Sequence, residues 1–291
     1  MEPEELSSRV DKIVYASQVR ITNQTSKTSK ALFNEMSLLL QKLELDSEGL
    51  IIQSQANRSI LAKVDTYFNS AFNKSGYYDT LDEITGNVVE ITDANAAYFT
   101  FVLDKYTPDK QFIKSLQKGA IAEIETLLAN EGLELSLKKP IIDILNQNIN
   151  TKASYVDLVQ QMRTFILGDA NTGPTLARYA KQITNDALFN YSRAYQEAIS
   201  VGVGLEFVKY SGGTQDDSRD FCVQRANKYF HKKEVEKWAS QDWTGKRKGT
   251  TSSTIFIYAG GYNCSHQIIY VSEATVPKSV LQRAKQEGYT K

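Results

Sequence analysis

Apolar residues recur at helical spacing along the first two thirds of the chain. Leu32, Phe33, Met36, Leu39, Leu40 and Leu43 form one such run, and Ile60, Leu61, Val64, Tyr67, Phe68 and Phe72 form another. A third run starts near Thr85 and passes through Val88, Val89, Ile91, Ala94, Tyr98, Phe101 and Val102. Thr107-Pro108-Asp109 predicts a helix start, with Pro108 in the first turn. That helix carries Phe112, Ile113, Leu116, Ile121, Ile124, Leu127 and Leu128, and should stop near Asn130-Glu131-Gly132. Shorter helices are predicted over 140–149 and 152–167. The turn-rich stretch Gly168 to Pro174 punctuates the chain, and a long helix is expected from about Thr175 to Val201. The first thirty residues are rich in Ser, Thr, Gln and Asn. They read as a frayed arm or as a helix that needs a partner.

After Gly204 the pattern changes. Residues 205–210, 254–258 and 267–271 read as short strands, with helices near 217–228 and 232–240 between them. The predicted class is therefore α+β: a mainly α-helical N-terminal region, 1–168, followed by a small α+β Cys/His domain within 169–291.

A hydrophobic content of 41% and a charged content of 23% over 291 residues fit a globular chain and disfavour disorder. No apolar run approaches the roughly 18–20 residues of a membrane span. The opening MEPEELSSRVDK has neither the basic nor the apolar region of a secretory signal, so a cytoplasmic site of synthesis is expected. Net charge is zero but uneven: residues 205–291 hold 14 Lys plus Arg against 9 Asp plus Glu. Lys232, Lys233, Lys246, Arg247 and Lys248 lie in this part, interleaved with Trp238 and Trp243. Such a cluster could contact nucleic acid through phosphates and stacking, or could be an ordinary solvated face around core tryptophans.

Both cysteines and both histidines of the chain, Cys222, His231, Cys264 and His266, fall between residues 222 and 266. Thiolate and imidazole are the ligands of closed, structural zinc sites. Cys264 and His266 are one residue apart, which in an extended chain places them on the same face. Gly260-Gly261 just before them would permit a tight turn. The spacing C-x8-H-x32-C-x-H lacks the paired CxxC of zinc fingers. Buried cysteines with satisfied histidines, a Cys222–Cys264 disulfide, or a partial site of Cys222, Cys264 and His266 are the other readings. Asp216, Asp217, Ser218 and Asp220 read as a turn and helix start beside Arg219. No P-loop, GxSxG or HExxH motif is present, and no small-molecule substrate is suggested.

In order along the chain stand a helix carrying Asn185-Asp186-Ala187 and Ser192-Arg193-Ala194, then Phe207-Val208-Lys209-Tyr210-Ser211-Gly212-Gly213, then DDSRDFC (Asp216 to Cys222). Trp238, Trp243 and Gly245 follow, and GGYNCSH (Gly260 to His266) comes last. This order resembles the phage Mu F-like (MuF) minor head, or head morphogenesis, proteins over roughly residues 170–272. The chain departs from the family pattern twice: no second Cys follows Cys222 closely, and Ser265 stands where an Arg is usual. If the ligand set is complete, His231 takes the place of the missing Cys. The resemblance implies a structural, non-enzymatic protein of a tailed bacteriophage, carried in the virion head and assembled in the host cytoplasm. Its partners would be the portal or the major capsid protein, with contact to packaged DNA in some family members. Asp216, Arg219, Asn263, Gly260 and Gly261 would then be turn or supporting residues of the zinc loops. The competing reading is a metal-dependent nuclease or toxin-like enzyme built on the Cys/His module.

Overall fold

The computed structural model describes residues 1–103, 106, 107 and 109–290. It is α+β: mostly helical, with one small antiparallel sheet. The chain forms two compact units, neither of them continuous in sequence. The sheet unit gathers residues 1–16, 86–122 and 185–291, and the helical unit gathers 17–85 and 123–184. The linear boundary expected at 168/169 is not the observed one. Helices α1 (Pro3–Leu40), α4 (Tyr77–Val102), α5 (Lys110–Leu128) and α9 (Thr175–Val203) each give residues to both units.

In the helical unit the predicted helix over 60–72 is two: α2 (Gln55–Leu61), capped by the Ser54 hydroxyl, and α3 (Val64–Ser75). Gly76 ends α3 with φ of 77°, a left-handed turn that glycine adopts without strain. The polar residues of α1 here do not fray. The hydroxyls of Thr25, Ser26 and Thr28 donate to carbonyls four residues back, at Ile21, Thr22 and Gln24, so they can be buried or half-buried inside a helix. The helix stop expected at Gly132 falls earlier, at Leu128. Gly132 instead opens the short α6 (Glu131–Leu133), where any Cβ would overlap the Leu127 carbonyl and the Tyr179 hydroxyl. A five-residue π-helical turn, Glu134–Lys138, leads into α7 (Lys139–Thr151), and α8 (Tyr155–Leu167) follows. Both match the predicted short helices. Pro108, expected in the first turn of α5, lies outside the described residues. Asp109 caps that helix, its carboxylate accepting from the backbone N–H groups of Gln111 and Phe112.

In the sheet unit, β1 (Phe207–Ser211) is the central strand, flanked by β2 (Lys228–His231) and β3 (Gln267–Val271). Its register pairs Tyr210 with Lys228 on one side and with Ile268 on the other. Every residue of β1 and β3 is buried, so these strands lack a solvent face. The helix expected over 217–228 shrinks to α10 (Asp220–Val223), and only its last residue, Lys228, enters β2. Residues 232–238 form α11 as expected. The strand expected at 254–258 is instead the helical turn α12 (Ile255–Tyr258). There Thr251 and Thr254 exchange backbone and hydroxyl bonds that favour a helix start, and a five-residue apolar run cannot settle the matter by periodicity. A final helix, α13 (Lys278–Gln286), packs Val280 and Ala284 with Phe207 and Val271.

A buried polar network joins α4, α9 and β3. Gln196 donates to Asn95 at 2.8 Å and accepts from the Tyr270 backbone N–H at 3.1 Å, while Asn95 donates to Ser192. The Tyr98 hydroxyl donates to the Tyr270 carbonyl at 2.7 Å. Leu6, Val10 and Val14 of α1 are buried in the same unit. Among the described residues no helix is long and apolar enough to cross a membrane.

Candidate metal centre

The side chains of Cys222, Cys264 and His266 converge in the sheet unit, their ligand atoms all within 4.8 Å of one another. Cys222 comes from α10, and Cys264 and His266 from the loop entering β3. The group is sealed: Cys222 is 3% exposed, Cys264 2% and His266 4%. Both cysteines are free thiols, and Cys264 Sγ lies 3.8 Å from His266 Nδ1. The other ring nitrogen, Nε2, is buried without a hydrogen-bond partner. Two sulfurs and an imidazole edge facing one point are a donor set that could hold a metal ion.

The electrostatics favour an anion here. A hydrogen bond from Cys222 holds the Cys264 thiol well below its ordinary value, against burial, with help from His266 and the Arg193 guanidinium. Cys222 is pushed up, first by its bond to the Cys264 sulfur and then by burial. Arg193 is a wholly buried cation on α9. Its Nη1 donates to the His266 carbonyl at 2.6 Å and to the Cys264 carbonyl at 3.3 Å, and its Nη2 donates to Asn190 Oδ1 at 2.8 Å. A neighbouring carboxylate, Asp186, accepts from the Asn263 backbone N–H at 2.6 Å and from Arg247 at 3.3 Å. Burial raises its carboxyl above the usual range, and Arg247 opposes that rise.

Two remote sequence segments lock together around the centre. Arg219 donates to the Gly260 carbonyl at 3.3 Å and to the Tyr262 carbonyl at 2.6 Å. The Trp243 indole N–H also donates to the Gly260 carbonyl, at 2.9 Å, while its ring stacks on Phe221. Gly245, at φ of 82°, makes room for the Arg219 guanidinium; a Cβ there would lie 2.6 Å from Arg219 Nε. Gly260 is needed for closeness rather than for a turn. A Cβ on it would overlap the Cys222 sulfur and sit 2.9 Å from that of Cys264. Gly261 does supply the expected positive φ, at 97°, and Asn263 adds a second, at 57°. Asp216 lies exposed in the turn at 216–217, away from any ligand role.

His231 does not join the other three, which corrects its expected place in the ligand set. It is the N-cap of α11: Nδ1 accepts from the Lys233 backbone N–H at 3.2 Å, and the His231 N–H donates to Glu234 Oε1 at 3.1 Å. Its ring stacks on Tyr289 and meets Phe207 edge-on, and its Nε2 lies 3.7 Å from Glu206. Of the basic candidates, Lys246 donates to the Ala239 and Gln241 carbonyls, Arg247 pairs with Asp186, Lys232 pairs with Glu206, and Lys233 lies over the Tyr289 ring. Lys248 is exposed.

Arg193 and Tyr210 stand out in the sequence only as motif letters, and their roles at the centre emerge from the fold. The Tyr210 hydroxyl lies 3.4 Å from Cys222 Sγ and 3.7 Å from Cys264 Sγ, and its ring stacks on that of His266. Asp11 of α1 carries no sequence signal at all. Burial raises its carboxyl to about 6, against the pull of the His266 charge, and it lines a cavity of about 510 Å³ together with Ser211, Gly212 and Asn227. No family model, no curated protein and no solved structure matches this chain.

Proposed function

We propose that this chain is a minor head protein of a tailed bacteriophage, of the MuF type, in which zinc clips the small α+β module and the protein acts in head assembly. One observation carries the reading. DDSRDFC and GGYNCSH, the two segments on which the resemblance rests, meet through Arg219 and bring Cys222 to Cys264 and His266. Motif residues that share one local structural task are what a single folded module would require.

Zinc is the metal that suits two thiolates and an imidazole in a small structural module. Bound there, it supplies a cross-link between α10 and the β3 loop, adding to the apolar core that surrounds the three-stranded sheet. Cys222, Cys264 and His266 hold it, and Arg193 fixes the carbonyls of two of these ligands. The sealing of all three residues supports a structural role over the nuclease or toxin-like alternative, which needs room for a substrate at the metal. The partners are the portal or the major capsid protein, in a virion head assembled in host cytoplasm. Contact with packaged DNA has less support, because Lys246 and Arg247 are engaged within the chain.

Two measurements test this. Elemental mass spectrometry of purified protein should find about one zinc per chain, lost in Cys222→Ala together with a lowered melting temperature. Quantitative mass spectrometry of purified, DNA-filled heads should find the chain at a few copies per particle. Heads free of it, while the host lysate contains it in abundance, would refute the assembly role.

A further inference from the structure

We infer that Tyr210 supplies the fourth ligand of this centre, its phenolate oxygen closing a tetrahedron with the two cysteine sulfurs and the histidine nitrogen. The inference rests on the metal reading above and concerns a residue type outside the usual Cys, His and carboxylate set.

Zinc–sulfur bonds of about 2.3 Å and zinc–oxygen or zinc–nitrogen bonds of about 2.0 Å at tetrahedral angles separate neighbouring sulfur and oxygen or nitrogen ligands by roughly 3.5 Å. The Tyr210 oxygen stands 3.4 Å and 3.7 Å from the two sulfurs, and Cys264 Sγ stands 3.8 Å from His266 Nδ1. Three edges of the tetrahedron are therefore present to within a few tenths of an ångström. A water ligand would need a path, and Tyr210 is 0% exposed among ligands that are themselves sealed. On one side the Gly260 backbone closes the group: a Cβ there would lie 3.2 Å from the Tyr210 oxygen and closer still to both sulfurs.

Charge gives an independent reason. Zinc with two thiolates is neutral, which would leave the buried Arg193 cation beside it to share the single Asp186 carboxylate with Arg247. A phenolate makes the zinc group singly negative, and Arg193 then balances it in a region where an unpaired charge is costly. A divalent cation favours the ionised phenol, and on binding the phenol proton leaves to solvent along with the thiol proton that Cys222 still holds.

The test uses the full-length protein, stripped of metal and titrated with zinc at neutral pH while ultraviolet absorption is followed. Expected is the red-shifted absorption of one ionised tyrosine, saturating at one zinc per chain and missing in Tyr210→Phe. X-ray absorption of the wild-type zinc form should show two sulfur and two nitrogen or oxygen neighbours. Zinc bound at one per chain without the tyrosinate signal overturns the Tyr210 assignment and leaves the metal centre standing. Failure to bind zinc at all overturns both. A wild-type spectrum without the tyrosinate signal refutes the assignment even if Tyr210→Phe folds poorly.

Discussion

Replacing Arg193 by Leu should be the most damaging single change at the centre that removes no ligand. The guanidinium makes three hydrogen bonds, two of them to the carbonyls of Cys264 and His266, and it is wholly buried. Hydrogen bonds to a charged group contribute about 1.5–3 kcal/mol each, and the long 3.3 Å bond to Cys264 belongs at the bottom of that range. Removing the donor leaves both carbonyls buried and unpaired, while relief of the guanidinium's own desolvation offsets part of the loss. The balance is a destabilisation of about 3–5 kcal/mol. Both tryptophans of the chain, Trp238 and Trp243, lie in the sheet unit, so urea unfolding followed by tryptophan fluorescence reads that unit directly. Arg193→Lys should recover only part of the loss, because an ammonium cannot fork between two carbonyls and Asn190 in this geometry. As a comparison, the exposed pair Arg20–Glu83 should contribute no more than about 1 kcal/mol. A loss below about 1 kcal/mol for Arg193→Leu would mean that the carbonyls find other donors and that Arg193 does not hold the ligand loop.

Three further outcomes are expected. His231→Ala should leave zinc stoichiometry unchanged and lower stability by about 1–2 kcal/mol through loss of the α11 cap; loss of zinc would restore His231 to the ligand set. Gly260→Ala should push the two sulfurs apart, abolish stoichiometric zinc and cost about 1–3 kcal/mol in the same urea assay, and normal zinc content would refute the close packing. Because burial raises the Asp11 carboxyl to about 6 in the folded chain, the folded state holds its proton more tightly than the unfolded state does. Stability should therefore fall as pH rises from about 4 to about 6, by at most about 3 kcal/mol and by less in practice because Asp11 borders solvent. Asp11→Asn should flatten that part of the pH–stability profile, and an unchanged slope would assign it to another group.

Much of the helical architecture was legible because long amphipathic runs carry their own period. The helix over 175–203 and the short helices after 139 follow directly from apolar spacing and turn residues. The errors have physical causes. Residues 254–258 are too few for a period to separate strand from helix, and β2, in the gap between two expected helices, goes unmarked because its pairing partner, β1, lies some twenty residues earlier. At the centre, rarity picked out Cys222, Cys264 and His266, since the chain has only two Cys and two His. Rarity also misassigned His231, although His231-Lys232-Lys233-Glu234 carries a readable sign of its real task, a cap followed three residues later by Glu. Tyr210 could not be singled out among sixteen tyrosines, because only the fold brings its hydroxyl to the sulfurs.

The interleaving of the two units along the chain has a consequence for biosynthesis. The helical unit draws on residues 17–85 and 123–184, so all of it has left the ribosome while Asn185 onward is still being made. The sheet unit cannot close until the last third arrives, because it is gathered from residues 1–16, 86–122 and 185–291. During that interval the early segments 1–16 and 86–122 lack the rest of their unit, a window in which a chaperone would engage nascent chains. A fragment beginning at residue 169 would lack the segments 1–16 and 86–122 and would expose the apolar surface they cover, so its failure to fold would say nothing about the Cys/His module itself.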